Sequence, residues 1–220
     1  MQGMDKSEKF WDRRASEYDR NEEKYEQTYH ETIESTRTHL SPGDVVLDYA
    51  CGTGIITNQI ALSVKEVHAI DISSKMIDVA QREAQARGID NLHYAQSTIF
   101  DDSYEKGSFD VILAFNILHL LEDAQRVVQR ISELLKPGGL FISGTPCMGE
   151  KKSLLSGMFF LLSKTGIAPS IEFLRFSELE GLIAGGDLQI VETRDLHQTP
   201  PNYLIVARKI EGAQSPQGAH

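Results

Sequence analysis

Residues 45–54 read Val45-Val46-Leu47-Asp48-Tyr49-Ala50-Cys51-Gly52-Thr53-Gly54: a β-branched run that ends in an acid and passes at once into a glycine-containing turn. Such a segment is a strand that hands the chain to a tight turn and then to a helix. Gly52 and Gly54 carry no Cβ, so a ligand can approach the backbone there. A helix expected to begin near Thr53 aims free backbone N–H groups at whatever occupies the turn. Asp48 can accept from an ammonium group or order water. In open α/β sheets the ligand sits outside the carboxyl ends of the strands. The segment therefore constrains both the fold class and the place of the site.

A rhythm continues from it. Val67 to Ile72, Asn91 to Gln96, Phe109 to Phe115 and Leu140 to Ser143 read as further strands. The first strand follows the turn Ser41-Pro42-Gly43-Asp44, and the fifth follows Lys136-Pro137-Gly138-Gly139. Helical patterns lie between: Ser74 to Gly88 and Asp123 to Leu135. Strands alternating with helices, in apolar runs rather than strict alternation, predict a parallel sheet covered on both faces. Leu188–Val191 and Tyr203–Val206 are separated by a linker too short for a crossover helix, so they are expected to pair antiparallel. The predicted fold is α/β: a Rossmann-like, doubly wound, seven-stranded, mostly parallel sheet with a reversed last strand and helices on both faces. Residues 1–40 read as an N-terminal helical lid, 41–210 as the main domain with an insertion at about 147–186, and 211–220 as a flexible tail.

A second acid sharpens the site. Asp71 closes the second strand in Ala69-Ile70-Asp71-Ile72-Ser73. An acid there suits the two hydroxyls of a ribose. A glycine turn with that acid points to a nucleoside cofactor. A dinucleotide loop wants G-x-G-x-x-G, and Thr57 stands where the third glycine belongs; no P-loop is present. An acid directly before the turn repels a pyrophosphate and welcomes an amino-acid ammonium.

On these motifs the chain resembles the class I S-adenosylmethionine-dependent methyltransferases of the group called type 11. Asp48 to Gly54 is similar to the family's first motif, and Asp71 to Met76 to its ribose and adenine motif. Ser108 to His119 is similar to its fourth-strand motif, and Leu134 to Leu140 to the turn before strand five. The resemblance covers about residues 10–145 and implies S-adenosylmethionine as cofactor. It places Asp48, Gly52 and Gly54, with Ala50 and Cys51 in the same loop, along the methionine end and ribose. Asp71 holds the ribose hydroxyls, and Ile72 and Met76 sandwich the adenine. Ser97, Thr98 and Ile99 border the adenine edge. The Phe115-Asn116 backbone sits beside the methionine amine and methyl donor. There are two departures. Ala50 replaces the first glycine of the loop. Thr98 stands where the family often has an Asp for the adenine amino group.

Other residues are weighed against plainer roles. Cys51 reads as a small core residue and Asp110 as a structural turn residue. Cys147 reads as a spectator. His119, just past strand four, is the candidate general base, set against a polar lining or capping role. Trp11, Tyr18 and Tyr25 recur every seven residues, which can put several on one helix face. Tyr18 and Trp11 are expected to line the substrate side of the lid. The apolar run 153–162 is too short to span a bilayer and can line a pocket.

The net charge of −10 opposes a chain-wide nucleic-acid clamp. The Asn-Pro-Pro-Tyr type of motif for planar amines is missing after strand four; Pro200-Pro201-Asn202-Tyr203 has similar letters in another place. No Asp/Asn cluster after strand four suggests a magnesium site, and no metal is expected. Two cysteines and a charged N-terminus suggest a reducing, cytoplasmic setting. The expected function is methyl transfer to a small, partly apolar acceptor by a monomer or weak dimer. The rivals are a non-catalytic cofactor-binding module and a nicotinamide-dependent oxidoreductase.

Overall fold

The computed structural model describes residues 2–150, 171–196 and 201–210. The apolar run 153–162 and the tail 211–220 lie outside the described residues. Seven strands form one sheet in the order β3-β2-β1-β4-β5-β7-β6. They are β1 (Val45–Tyr49), β2 (Glu66–Asp71), β3 (Leu92–Gln96), β4 (Phe109–Phe115), β5 (Leu135–Pro146), β6 (Leu188–Asp195) and β7 (Asn202–Lys209). The first five are parallel, and β7 runs antiparallel to both neighbours. The reversed strand is thus last in the chain but internal in the sheet, with β6 at the edge. The strand order reverses between β1 and β4. That is the switch point where ligands enter folds of this kind.

The strands read as unbroken apolar runs because both faces are covered. Leu47, Ile112 and Phe141 pack in one buried cluster with Val128, Ile131 and Ile183. Val46, Val111 and Ile142 pack in another with Ile33, Ile56 and Ile60. The first is closed by α6 (Ala124–Leu134) and α7 (Phe176–Ala184), and the second by α3 (Glu26–Arg37) and the four-residue α4 (Thr57–Ile60). The helix α5 (Ser74–Ala86) begins where Ser73 Oγ accepts from Met76 N, and α6 where Asp123 accepts from Arg126 N. Each cap satisfies an N–H that the helix leaves open. No helix among the described residues is long and apolar enough to cross a membrane.

Asp110 is structural, as expected. Its carboxylate accepts from Lys136 Nζ at 2.7 and 2.8 Å and from Val45 N at 2.9 Å. It ties the starts of β1 and β4 to the first residues of β5, at the end of the sheet away from Asp48.

Two expectations need correction. The helix after the glycine turn begins at Thr57, not near Thr53. Gly54 is left-handed, with φ +81°, and a helix cannot run through it. The N-terminal aromatics also do not share one helix. Trp11 lies in α1 (Gln2–Asp12), Tyr18 opens α2 (Tyr18–Glu22), and Tyr25 ends a 3-10 turn (Glu23–Tyr25). Between them Asp12 and Asp19 reach the loops of the sheet, as described below.

Candidate active site

The two acids at the carboxyl ends of β1 and β2 are both buried. Asp48 Oδ2 accepts from Thr57 Oγ1 at 2.6 Å. Burial pushes its carboxyl up to about 7; the Thr57 bond opposes this and the charge of Asp71 adds to it. Asp71 accepts from Gly52 N at 3.0 Å and from Ser73 N at 2.8 Å. Burial raises its carboxyl too, against the pull of those backbone donors. One carboxylate thus fixes the glycine turn and the start of α5 relative to each other.

The turn itself is left-handed at Ala50, Gly52 and Gly54. A Cβ on Gly52 would meet nothing within 4 Å, so open space lies on that side of the turn. A Cβ on Gly54 would lie 2.5 Å from Tyr94 Oη. Gly52 therefore faces open space, whereas Gly54 is hemmed in by the protein itself. Ala50, at φ +61°, carries a side chain in a conformation that costs about 1–2 kcal/mol. Ala50→Gly should raise stability by somewhat less, about 0.5–1 kcal/mol, since glycine loses more entropy on folding. Thermal unfolding of the variant checks this.

Asn116 is left-handed as well, at φ +57°. Its N–H donates to Gly144 O at 2.8 Å, and its side chain accepts from Asn202 Nδ2 at 3.4 Å. Asn202 is one of the Pro-Pro-Asn-Tyr letters at 200–203, and the antiparallel β7 brings it to the end of β4. Ile72 is half-buried past the end of β2, and Met76 is buried in the first turn of α5. Ser97 and Thr98 are half-buried past β3, while Ile99 is fully buried in the core. Ser97 Oγ donates to Asp101 Oδ2 at 2.9 Å, so an acid does stand near Thr98. Cys51 is half-buried, and burial holds its thiol well above the ordinary range. That fits a packing role.

His119 lies in a 3-10 turn (Leu118–Leu120) and is 8% exposed. Burial lowers its imidazole to about 4, and its Nδ1 has no hydrogen-bond partner among the described residues. It is neutral at physiological pH but a weak base. A cavity of about 420 Å³ opens beside this turn, between α6 and α7, with Leu118, Leu121, Glu172 and Leu182 in its lining. It shares none of the residues that the resemblance places around the cofactor, but Glu172, which with Arg175 can be read as a binder of a polar substrate group, lines it.

The N-terminal segment is latched to these loops by acids that no local sequence pattern marks. Asp12 Oδ1 accepts from Ser73 Oγ at 2.6 Å and from Lys75 N at 3.3 Å. Asp19 Oδ1 accepts from Thr53 Oγ1 at 2.5 Å. Glu8 Oε1 accepts from Gln96 Nε2 at 3.0 Å. These contacts land just after β1, just after β2 and at the end of β3. Trp11 and Tyr18 meet edge to face, with ring centroids 6.2 Å apart.

A family model described as a methyltransferase domain matches residues 40–168. The ubiquinone biosynthesis O-methyltransferase of Albidiferax ferrireducens is 31% identical over 194 residues, which cover 80% of this chain and 77% of that protein. Its counterpart in Coxiella burnetii is 29% identical over 163 residues, covering 72% and 69%. Among solved structures, a geranyl diphosphate methyltransferase in complex with GPP and sinefungin superimposes with a TM-score of 0.68 at 17% identity, covering 81% of this chain and 77% of that one. A protein of Bacillus halodurans gives a TM-score of 0.70 at 15% identity, covering 81% and 97%. The nicotinamide-dependent rival falls with these matches. A seven-stranded sheet with its switch point between β1 and β4, two buried acids around a left-handed glycine turn and the match over residues 40–168 place this chain among the class I S-adenosylmethionine-dependent methyltransferases.

Proposed function

We propose that this protein methylates an oxygen of a small, partly apolar acceptor, such as the hydroxyl of a phenol or quinol. The carrying observation is the Asp71 carboxylate at the end of β2, bound between Gly52 N and Ser73 N. An acid so held presents remaining lone pairs to a ribose, and the open side of Gly52 admits the chain attached to it. The names of the relatives, which are O-methyltransferases, support the choice of oxygen.

S-adenosylmethionine supplies an activated methyl group on a sulfonium. The residues around it have the simpler tasks of aligning the acceptor and keeping water out. Asp71 and Ile72 would fix the nucleoside, with Met76 behind it and Ser97 and Thr98 at the adenine edge. Asp48 would meet the ammonium of the methionine end, with Phe115 and Asn116 on the other side. Tyr18 and Trp11 would cover the acceptor.

Asp48 makes one consequence measurable. A carboxyl whose folded value is raised is paid for in stability as pH rises from the ordinary carboxylate range toward 7, because the folded state keeps a proton the unfolded chain has lost. An ammonium docked against it favours the ionised form. The affinity for S-adenosylmethionine should therefore tighten as pH rises toward about 7, by up to about tenfold per pH unit, and then level off. Asp48→Asn should bind more weakly and lose that slope. Calorimetric titrations at several pH values test it.

The function itself is tested by following S-adenosylhomocysteine release with purified protein and a panel of phenols, quinols, thiols, amines, carboxylates and lipid headgroups. Turnover confined to hydroxyl acceptors supports the proposal. Turnover on thiols or amines alone moves the acceptor atom. Cofactor binding with no turnover on any class favours a non-catalytic binding module.

A further inference from the structure

The motifs leave Thr57 unmarked, yet it is a direct partner of the first acid of the site. Asp48 Oδ2 accepts from Thr57 Oγ1 at 2.6 Å, and both residues are buried. Thr57 opens α4, and the start of that helix is fixed on several sides. Asn58 N donates to Gly54 O at 2.9 Å, across the glycine turn. Asn58 Oδ1 accepts from Tyr94 Oη at 2.9 Å, on β3. Ile56 and Ile60 pack in the core cluster that holds Val46 and Val111. The Thr57 hydroxyl is thus placed by the helix that carries it. A valine has nearly the same shape and would bury no hydroxyl.

What the hydroxyl adds is orientation and a bias in charge. It donates to one carboxylate oxygen, which favours the ionised form. Also close to Asp48 are the Asp71 carboxylate on β2, the Cys51 thiol in the turn and the Tyr94 phenol on β3. Asp71 opposes the ionisation of Asp48, and burial keeps the thiol and the phenol neutral. Thr57 therefore works against burial, the largest influence that keeps a proton on Asp48.

We propose that Thr57 is a positioning residue for the cofactor: its hydroxyl fixes Oδ2 of Asp48 so that Oδ1 meets the ammonium of S-adenosylmethionine. This rests on the reading of Asp48 as the partner of that ammonium. Thr57 acts through Asp48 and touches neither cofactor nor acceptor. Its contribution is to the affinity for the amino-acid end of the cofactor, not for the nucleoside.

The test uses the full-length protein and calorimetric titration with two ligands. S-adenosylhomocysteine carries the ammonium, and 5′-methylthioadenosine is a thioether of the same nucleoside without the amino-acid end. At about pH 6, Thr57→Val should weaken S-adenosylhomocysteine about tenfold, the scale of a lost hydrogen bond to a charged group. It should bind 5′-methylthioadenosine as the wild type does. Thr57→Ser, which keeps the hydroxyl, should restore the affinity. The pH profile is a second readout. The wild-type gain in affinity flattens toward about 7. That of Thr57→Val should continue to about pH 7.5, the top of a range kept below the titration of the ligand's own amine. In an Asp48→Asn background, Thr57→Val should cost no further affinity. Should Thr57→Val fail to fold, Thr57→Ala takes its place, and should 5′-methylthioadenosine bind too weakly to measure, the Asp48→Asn background decides. Equal losses on both ligands, or a further loss in the Asp48→Asn background, make Thr57 merely structural and overturn the proposal. An unchanged affinity for S-adenosylhomocysteine in Thr57→Val overturns it as well. If Asp48→Asn alone leaves that affinity unchanged, the ammonium reading falls first, and the role of Thr57 with it.

Discussion

Asp71→Ala is expected to weaken binding of S-adenosylhomocysteine by at least about 100-fold, the scale of two lost hydrogen bonds to a charged group. The variant removes the acceptor for any ribose hydroxyl. It also frees the N–H groups of Gly52 and Ser73, which the carboxylate holds at 3.0 and 2.8 Å. The turn and the start of α5 are then no longer tied together. Stability should fall less than affinity, by about 1–2 kcal/mol, because relief of a buried carboxylate offsets part of the loss. Asp71→Asn keeps one accepting oxygen and should fall between the two. Calorimetry gives the affinities and thermal unfolding the stabilities. An affinity within threefold of wild type for Asp71→Ala would remove this residue from the site.

The second large effect is on the fold. Gly54→Ala places a Cβ 2.5 Å from Tyr94 Oη and 3.2 Å from both Ala80 Cβ and Asn58 Nδ2, at a backbone φ of +81°. Tyr94 cannot swing aside without losing its 2.9 Å bond to Asn58 Oδ1, and Ala80 belongs to α5. Strain in the left-handed region adds about 1–2 kcal/mol and overpacking about 1–3 kcal/mol, so a loss of about 2–5 kcal/mol is expected. Gly52→Ala is the control. With nothing within 4 Å of its Cβ, it should cost only about 1–2 kcal/mol of backbone strain. Its methyl group instead enters the space where we propose that the cofactor binds, so affinity should fall further than stability. Equal melting points for the two variants would contradict the different surroundings of these glycines.

Much of this was legible in the chain. Strands β1, β2 and β4 are dense in β-branched and aliphatic residues because both their faces are buried, and that density is visible locally. Asp48 and Asp71 mark the strand ends, and Ser73 marks a helix start in the pattern of a cap. The side of the sheet beyond β5 was legible only as a pairing of short runs. β5, β6 and β7 each extend further than their apolar segments, since backbone pairing continues past the buried residues. The latch was not legible. Asp12 and Asp19 look like any solvated acids, and their partners Ser73 and Thr53 lie 61 and 34 residues away. The early start expected for α4 came from treating a glycine turn as the first turn of a helix. The φ angles of Ala50, Gly52 and Gly54 show a loop instead. Thr57, nine residues past Asp48, carries no pattern that names it as the partner of that acid.

The position of β7 has a consequence for biogenesis. The ribosome delivers β1 to β4, and with them both acids and the glycine turn, well before the end of the chain. Among the described residues, the outer edge of β5 is closed by β7, from Pro146↔Asn202 to Leu140↔Arg208, and β6 joins the sheet through β7. A nascent chain that has made the loops after β1 and β2 therefore still carries an open strand edge until residue 209 emerges. Open edges recruit other chains. Translational stalling or premature termination before Asn202 should therefore yield aggregated fragments rather than smaller working ones.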